Sequence, residues 1–559
     1  MAADRWSGLT RRLARRRMLG LTAAGTAGLL AACGGGGASD SSSGVATGAQ
    51  PPAVRQATPT GEAPKYGGQL SLGISDEPGL GFDAHTGYGG TDHQFLYMVS
   101  DPLIGYDQKG QVDPALSLAE KWETPDPQRV VLKLRSGVTF HDGPPFTAED
   151  VKWNIERIID PATQATPRSD LAAIEGVQIV SPNEVVLRLK EPSAPLLTNF
   201  GDRGGMIVPR AAFEKLGKDT FVRKPVGTGA FMLKEWVSDA HMVLERNPRY
   251  WRTDARAGKL PYLQTLRLEF IPEATVRTAA LESGQIDLLA GTPATDVKRL
   301  NENKSLQSTS FIGASTGKWN INHAFAPLDN VNFRRALSWA MDRENYVKNF
   351  LTGTEPLATG LLTPASWAND PSIPRYGYDL NKVKEFLQAS GLPPSAWRIK
   401  TQPAAASISE AEQFWEAGIK AAGITLDWNA PERNGPVNRL MKGQGADGTA
   451  AMSVTAWSMR VDPDGNVGPA YTEKGAFNPG QAPVPETEAL IVKARQTYDP
   501  QERKKLYGEI QRKAVEQVYS LILLHYNVAR SHANKRVGNL DALYGGEGKP
   551  RYGNMWVSG

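Results

Sequence analysis

A strand, a turn and a helix start follow one another in the stretch LKLRSGVTFHDGPPFTAEDV, residues 132–151. Apolar and polar residues alternate at its beginning, which predicts a β-strand. Asp142-Gly143-Pro144 is typical of a turn. Thr147 and Asp150, three residues apart just before an apolar run, resemble a capping box at the start of a helix. This order of elements indicates a mixed α/β fold.

The same two periodicities recur along the chain on both sides of this stretch. Period-two alternation predicts strands at four places: Leu70 to Ile74, Val130 to Leu134, Val185 to Leu189 and Leu266 to Phe270. Helical spacing predicts helices at Val151 to Ile159, at Phe333 to Met341, and from Asp379 to a stop at Gly391. Two helices are predicted late in the chain, one on each side of Asp499-Pro500, and a strand-like run Leu521 to Leu524 follows them. We find no internal repeat.

The composition excludes several classes of protein. The chain has 559 residues, of which 40% are apolar, so it is long enough for several domain-sized units with a real core. It contains a single cysteine, which excludes an intramolecular disulfide framework and any zinc or iron–sulfur site built from several cysteines. The seven histidines show no metal-ligand spacing, and we expect no metal and no cofactor.

The N-terminus accounts for the net charge of +4. Residues 1–32 hold six arginines and one acid, so 57 of the 63 basic and 58 of the 59 acidic residues remain beyond them. The basic segment, a short uncharged run and small residues at its end predict a signal peptide. Arg15-Arg16-Arg17 resembles a twin-arginine export signal, with an ordinary secretory signal as the alternative. The near-neutral remainder has no electrostatic footprint for nucleic acid.

The only cysteine stands where the leader ends, in Leu30-Ala31-Ala32-Cys33, which resembles a bacterial lipobox. Lipid chains on Cys33 would hold the exported protein at a membrane. Residues 33–65 are rich in Gly, Ser, Ala, Pro and Thr, a composition typical of a flexible tether. We therefore expect a lipoprotein that faces the periplasm or the cell exterior and touches the membrane through its lipid anchor alone.

Two short patterns match catalytic or cofactor motifs. Gly313-Ala-Ser315-Thr-Gly317 fits a nucleophile elbow, but a strand-like segment follows it where that motif needs a helix, so we expect a loop between strands. Gly443-Gln-Gly445-Ala-Asp-Gly448 fits a dinucleotide fingerprint in inverted context, which is typical of an ordinary helix-to-strand connection. Neither pattern predicts an enzyme.

A series of longer motifs resembles family 5 solute-binding proteins, the peptide, nickel and oligopeptide receptors of ABC importers. The resemblance extends from about Tyr66 to near the C-terminus. Besides residues 132–151, it is carried by Asp101 to Asp107, Pro114 to Glu123, Lys224 to Gly229, Leu244 to Trp251, Ala280 to Asp287, Asn332 to Arg343 and Ala421 to Leu426.

This resemblance implies an α/β, two-lobed periplasmic-binding-protein type II fold of the large (cluster C) kind with an extra inserted domain. The expected divisions are 1–32 signal peptide, 33–65 lipidated cysteine and linker, 66–95, 183–305 and 526–559 lobe I, 96–182 inserted domain, and 306–525 lobe II. It also implies a peptide or small-molecule ligand held between lobes that close by a hinge, delivery to the transmembrane subunits of an ABC permease, and no catalysis. We expect a monomer.

The resemblance also suggests ligand-binding residues. Peptide-binding members carry an aspartate three residues after a tryptophan, and it pairs with the ligand's amine. Here Trp457 matches, but Arg460 stands at the aspartate's place and Asp462 follows. Because an arginine suits a carboxylate, either Asp462 takes the amine or the ligand has no free amine. Tyr88 and Tyr526 lie near other ligand-facing positions.

Two other functions compete with the receptor. A secreted hydrolase would need a convergent acid, base or nucleophile set, for which Ser315 is the sole match by motif. A sensory binding protein on the same fold would share every sequence feature of the receptor and differ in its membrane partner.

Overall fold

The computed structural model describes residues 63–559, except Leu80, Tyr88, Gly89, 255–257, 404–407, 430–450, Ala476, Pro479, Gln481 and Gly559. The predicted signal peptide, Cys33, most of the linker, Tyr88 and the Gly443–Gly448 pattern therefore lie outside the described residues. Within the described residues, no helix is both long and apolar enough to cross a membrane.

Strands and helices are interspersed along the chain. The strands are β1 Gln69–Ile74, β2 Gly105–Tyr106, β3 Val112–Asp113, β4 Ala119–Asp126, β5 Arg129–Leu134, β6 Ile174–Ser181, β7 Glu184–Leu189, β8 Phe231–Val237, β9 His241–Arg246, β10 Thr265–Phe270, β11 Leu288–Ala290, β12 Leu306–Ile321, β13 Arg398–Thr401, β14 Thr425–Trp428, β15 Met452–Ser458, β16 Leu521–Asn534, β17 Val537–Gly538 and β18 Trp556–Val557. The α-helices are Gly90–Val99, Ala148–Ile159, Leu196–Asn199, Arg210–Leu216, Lys218–Phe221, Ala274–Glu282, Val297–Glu302, Val331–Trp339, Arg343–Phe350, Leu380–Ala389, Glu410–Ala421, Asp464–Tyr471, Pro485–Gln496 and Pro500–Gln517.

The stretch that opened the sequence folds as predicted. Leu132 and Leu134 of β5 are buried, and the helix Ala148–Ile159 begins with a capping box between Thr147 and Asp150. The polar groups of the cap satisfy backbone N–H groups that have no partner inside the helix. β5 pairs with β4 and β7 in a four-stranded antiparallel sheet of order β4-β5-β7-β6.

The four-stranded sheet has its own apolar core, which includes residues from Leu103 to Ile207. The expected end of the inserted domain at residue 182 divides this sheet, because β7 begins at Glu184 and pairs with β5 and β6. The physical unit around this core therefore continues past residue 182. Because β7 pairs with β5 and β6, it belongs with the sheet of the inserted domain and not with lobe I.

Ten of the other strands form a single sheet, of order β14-β13-β15-β12-β16-β11-β1-β10-β9-β8. One half, with β1 and β8 to β10, packs into a core that also takes the C-terminal residues up to Val557. The other half, which contains β12 to β15, has a separate apolar core on each of its two faces. Trp319 and Ile321 of β12 lie in one core, and Trp457 and Tyr526 lie in the other.

Two long antiparallel strands, β12 and β16, belong to both halves of this sheet. Their register changes between Ile312↔Val528 and Ser315↔Asn527, which leaves Gly313 and Ala314 without partners in a β-bulge. The expected loop at Gly313–Gly317 is therefore wrong: the segment lies inside one continuous strand. Gly313 has φ +84°, in the left-handed region that favours glycine.

Candidate functional site

A narrow cavity, with about 20 Å³ of space open to a water-sized molecule, lies where three parts of the chain meet. One wall comes from the inserted domain and the segment that follows it, a second from the residues after β15, and a third from the C-terminal segment. The lining residues are His93, Tyr97, Tyr106, Asp170, Thr198, Asn199, Gly201, Asp202, Met459, Arg460, Val461, Asp462, Gly465, Glu547 and Lys549. We refer to this space as the interlobe cavity.

The loop that carries Arg460 and Asp462 is held by one amide side chain. Asn466 Nδ2 donates to the carbonyls of Arg460 and Asp462 at 3.0 and 3.3 Å, and the Arg460 N–H donates to Asn466 Oδ1 at 3.2 Å. A side chain at Gly465 would meet Arg460, because an added Cβ would lie 3.0 Å from Arg460 Cβ. The loop is therefore shaped to give Arg460 room.

The Arg460 guanidinium reaches across the cavity. It forms an ion pair with Asp202 and lies 4.0 Å from an Asp170 oxygen. Asp202 also contacts the imidazole of His93. Burial, together with nearby cations such as Arg203, lowers the pKa of His93 well below its usual value. Burial raises the pKa of Asp170. Arg460 thus joins residues far apart in the sequence.

Asp462 is occupied by a different cation. Its carboxylate accepts hydrogen bonds from Arg503 Nη2 at 2.8 and 3.1 Å and from Thr198 Oγ1 at 3.1 Å. Asp462 and Arg503 are both buried. A carboxylate already bound in this way has little capacity left for a ligand ammonium.

Lys549 is the cavity's free cation. Its ammonium makes no hydrogen bond or ion pair with any residue in the described part of the chain. Burial, and then repulsion from Arg460 and Arg203, lowers the pKa of Lys549 to about 8. Nearby, Glu547 accepts from Arg551 Nε at 2.8 Å through Oε1, while its buried Oε2 has no partner. Lys549 and Glu547 therefore both line the cavity, and each has a polar group without a hydrogen-bond partner among the described residues.

The remaining residues predicted from sequence lie elsewhere. Trp457 is buried against Phe477, with ring centroids 3.9 Å apart, and does not line the cavity. Tyr526, at the expected start of the last lobe I segment, is instead buried in the same core as Trp457, and its hydroxyl donates to the Gly360 carbonyl at 3.0 Å. Ser315 of the elbow-like pattern accepts a hydrogen bond from Asn527 Nδ2 at 2.7 Å within the β12–β16 pairing.

Of the residues predicted from sequence, Arg460 and Asp462 line this cavity. The residues opposite them were not singled out from sequence: His93, Asp170, Asp202, Glu547 and Lys549. The available signal for the last two was the glycine-rich run Gly545-Gly-Glu-Gly-Lys549, since such runs form tight turns that expose the intervening side chains. Gly548 has φ +70°, as a turn of this kind needs. The sequence around His93, Asp170 and Asp202 carries no comparable signal.

Residues 113–479 match the family described as bacterial extracellular solute-binding proteins, family 5. The chain belongs to this family. The match covers more than half of the sequence and confirms the resemblance seen in the motifs. It also confirms that this is a binding protein rather than an enzyme.

Named relatives and solved structures agree with this assignment. The glutathione-binding protein GsiB of Escherichia coli K12 is 27% identical over 421 residues, which are 73% of this chain and 80% of that protein. Periplasmic DppA of Helicobacter pylori, solved with the peptide STSA, has a TM-score of 0.78 at 21% identity over 89% of this chain and 99% of its own. Oligopeptide-binding AppA of Bacillus subtilis, solved with a nonapeptide, has a TM-score of 0.75 at 23% identity over 89% and 100%. These structures confirm the two-lobed α/β fold.

Proposed function

We propose that this chain is the exported, lipid-anchored receptor of an ABC importer and that it binds a small anionic, peptide-like solute in the interlobe cavity. The observation that carries the proposal is the unpaired Lys549 ammonium beside Arg460. Lys549 is half-buried. A cation withdrawn from water without an ion-pair partner is unfavourable, and an anionic ligand relieves that cost. The relatives named for glutathione and for peptides support a peptide-like solute.

The chemistry of the walls suggests an orientation for the ligand. Its carboxylate lies between Lys549 and Arg460, where two cations can donate charge-assisted hydrogen bonds. A peptide N–H then donates to the free Oε2 of Glu547. Because Asp462 is held by Arg503, it shapes the loop and leaves the ligand's amine without a carboxylate at that position. Trp457 and Tyr526 support the cavity from the core that they share.

We infer that the two lobes close about β12 and β16. These strands connect the lobes, and the bulge at Gly313 and Ala314 interrupts their ladder at the crossing. The cavity takes walls from both sides of this crossing, so a ligand that touches both walls favours the closed arrangement. The ion pair of Arg460 with Asp202 and the Thr198–Asp462 hydrogen bond then act as closing contacts.

We propose that Cys33 carries the lipid and that the linker up to residue 65 gives the receptor reach towards its permease. The support is in the sequence: a basic leader, a short apolar run and the lone cysteine after two alanines. One lipid-modified residue after such a leader supplies membrane affinity of ~0.8 kcal/mol for each buried CH₂ group.

The binding proposal is tested with two probes that differ by one charge. N-acetyl-alanyl-alanine has a terminal carboxylate, and its amide has none. Calorimetric titration of the mature protein is expected to show binding of the acid and roughly 10- to 100-fold weaker binding of the amide, because a hydrogen bond to a charged group contributes about 1.5–3 kcal/mol. Lys549→Met is expected to reduce affinity for the acid to the level of the amide, and Lys549→Arg is expected to keep most of it.

The matched control is Lys535→Met, which removes an exposed lysine from the same C-terminal segment. This variant is expected to bind both probes as the unmodified protein does. Equal affinity for acid and amide, or loss of binding in the control alone, would contradict the proposed carboxylate site.

A further inference from the structure

A second cavity, of about 220 Å³, lies beside the interlobe cavity. It is formed by the segments 97–116, 230–252 and 542–554, all outside lobe II. Tyr97 and Tyr106 line both spaces and form the wall between them. We refer to this second space as the tyrosine cavity.

Hydrogen bonds fix the dividing wall in place. Tyr97 donates its hydroxyl to the Gly201 carbonyl at 2.9 Å and stacks on His93, with ring centroids 5.5 Å apart. Tyr106 donates to the Thr198 carbonyl, and its ring lies against Gly201, where an added Cβ would clash with it. The two rings therefore present fixed faces to the tyrosine cavity.

The rest of the lining is also aromatic. Tyr250, Tyr544 and Tyr552 contribute buried rings. The acid in this lining, Asp101, is already saturated: it accepts from Tyr250 Oη at 2.7 Å, from Trp251 Nε1 at 2.8 Å and from Thr228 Oγ1 at 3.2 Å. Because Asp101 already accepts three hydrogen bonds, it does not need a cation from a ligand. The aromatic walls therefore favour a planar, uncharged ligand group.

Two polar groups of the lining have no acceptor among the described residues. The hydroxyl of Tyr552, a residue only 2% exposed, makes no hydrogen bond, and neither does the buried Nε of Arg252. Burial raises the pKa of Tyr552, so its hydroxyl stays protonated. Buried donors normally have partners. Two unsatisfied donors in one aromatic cavity point to a ligand that brings an acceptor.

We infer that the tyrosine cavity binds an aromatic group carrying an oxygen acceptor, and that this group belongs to the solute whose carboxylate occupies the interlobe cavity. The second half of this statement rests on the proposed function. It narrows the solute class to anionic, peptide-like molecules with an aryl substituent. The ring packs against the tyrosine faces, and its acceptor takes the Tyr552 hydroxyl and Arg252 Nε.

The first test uses a probe with no charge, 4-fluorophenol, observed by ¹⁹F NMR with the mature protein. Its fluorine signal is expected to broaden on binding. Tyr552→Phe, which removes one donor and keeps the ring, is expected to weaken binding about 3- to 10-fold, as for the loss of one neutral hydrogen bond. Ala542→Trp, which places a large ring in the cavity, is expected to abolish binding.

The control is Tyr471→Phe, which removes a buried tyrosine hydroxyl in the core of lobe II. Its affinity for 4-fluorophenol is expected to be unchanged, and the circular dichroism and melting midpoint of each variant show that it is folded. No broadening with the unmodified protein, or equal broadening in folded Ala542→Trp, would overturn the inference and leave a cavity filled with water alone.

The second test separates this inference from the proposed function. N-benzoylglycine and N-acetylglycine share the carboxylate and differ in the aryl group. N-benzoylglycine is expected to bind at least 10-fold more tightly, and Ala542→Trp is expected to remove that advantage. Equal affinities with a preserved dependence on Lys549 would overturn the aromatic cavity and support the carboxylate site. Binding of 4-fluorophenol with no binding of either glycine derivative would overturn the proposed function and support the aromatic cavity.

Discussion

Replacing Lys318 with methionine is expected to stabilise the protein near neutral pH. Lys318 is 1% exposed on β12, in the interior of lobe II. Its ammonium donates to Asn320 Oδ1 at 2.6 Å and lies 5.4 Å from the centre of the Trp457 ring. It has no carboxylate partner in the described part of the chain. Burial of this charge is therefore costly.

The size of the effect follows from the pKa of Lys318, which burial lowers from 10.5 to about 7. At about 1.36 kcal/mol per pH unit, that difference corresponds to roughly 5 kcal/mol against the charged form. Between these two pKa values the unfolded chain binds a proton that the folded chain has released. The free energy of unfolding therefore rises with pH across this window, by at most about 1.36 kcal/mol per unit.

The histidines and Lys549 titrate largely outside the interval from pH 7 to 8, so the slope caused by Lys318 can be measured there. Histidines with lowered pKa values, such as His85 and His532, act below pH 6.5. Lys549, whose pKa is lowered to about 8, adds the same sign of slope above that pH. Between pH 7 and 8, Lys318 is therefore expected to dominate.

The assay is urea unfolding of the unmodified protein and of Lys318→Met at several pH values from 6.5 to 9. The variant is expected to be more stable by a few kcal/mol at pH 6.5, and this gap is expected to shrink by about 1 kcal/mol per unit above pH 7. The control is Lys400→Met on the exposed side of β13, which is expected to leave the slope unchanged. Parallel pH profiles for the unmodified protein and Lys318→Met would refute the reasoning.

Three further changes test other parts of the account. Arg503→Met leaves the buried Asp462 carboxylate unpaired and is expected to cost about 3–5 kcal/mol in urea unfolding, of which Asp462→Asn in the same chain should restore a large part; additive losses would contradict the pairing. Gly313→Ala places a Cβ 2.7 Å from Thr363 at positive φ and is expected to melt at lower temperature than Gly291→Ala, which has the same kind of φ and open space; equal melting points would contradict a tight bulge. Cys33→Ser is expected to move the protein from the membrane to the soluble fraction on cell fractionation, and continued membrane retention would contradict the lipid anchor.

The secondary structure could be predicted where the pattern is local. Apolar alternation gave β1, β5, β7 and β10, because each buries one face of the sheet. Side-chain caps fixed helix starts at Thr147, Asp379 and Asp499, since each carboxylate or hydroxyl satisfies nearby N–H groups. These signals depend on residues three or four positions apart and need no tertiary information.

The predictions failed where distant segments decide the structure. The run Leu521 to Leu524 continues as a strand to Asn534, through polar residues, because it pairs with the whole of β12. Gly227 and Gly229, in the motif Lys224 to Gly229, are needed for close approach to a distant segment, since an added Cβ at either would lie 2.0–2.4 Å from the Val99 backbone.

The residues that line the interlobe cavity also differ in whether the local sequence could indicate them. Arg460 could be found because it replaces the residue that the family pattern expects, beside a tryptophan that matches. Asp202 and Lys549 could not be found from their local sequence, because only the fold brings Asp202 into an ion pair with Arg460 and places Lys549 in the lining of the same cavity. A cavity lined by three separate parts of a chain has no single sequence signature.

The most direct test of the central claim is the identity of the molecule that the receptor holds. The mature protein, purified from its own cells under native conditions and then denatured, releases its bound solute for mass spectrometry. We expect an anionic solute with a free carboxylate, which is absent from Lys549→Met purified in the same way and present in Lys535→Met. Release of an uncharged or cationic solute, or equal recovery from Lys549→Met, would contradict the central claim.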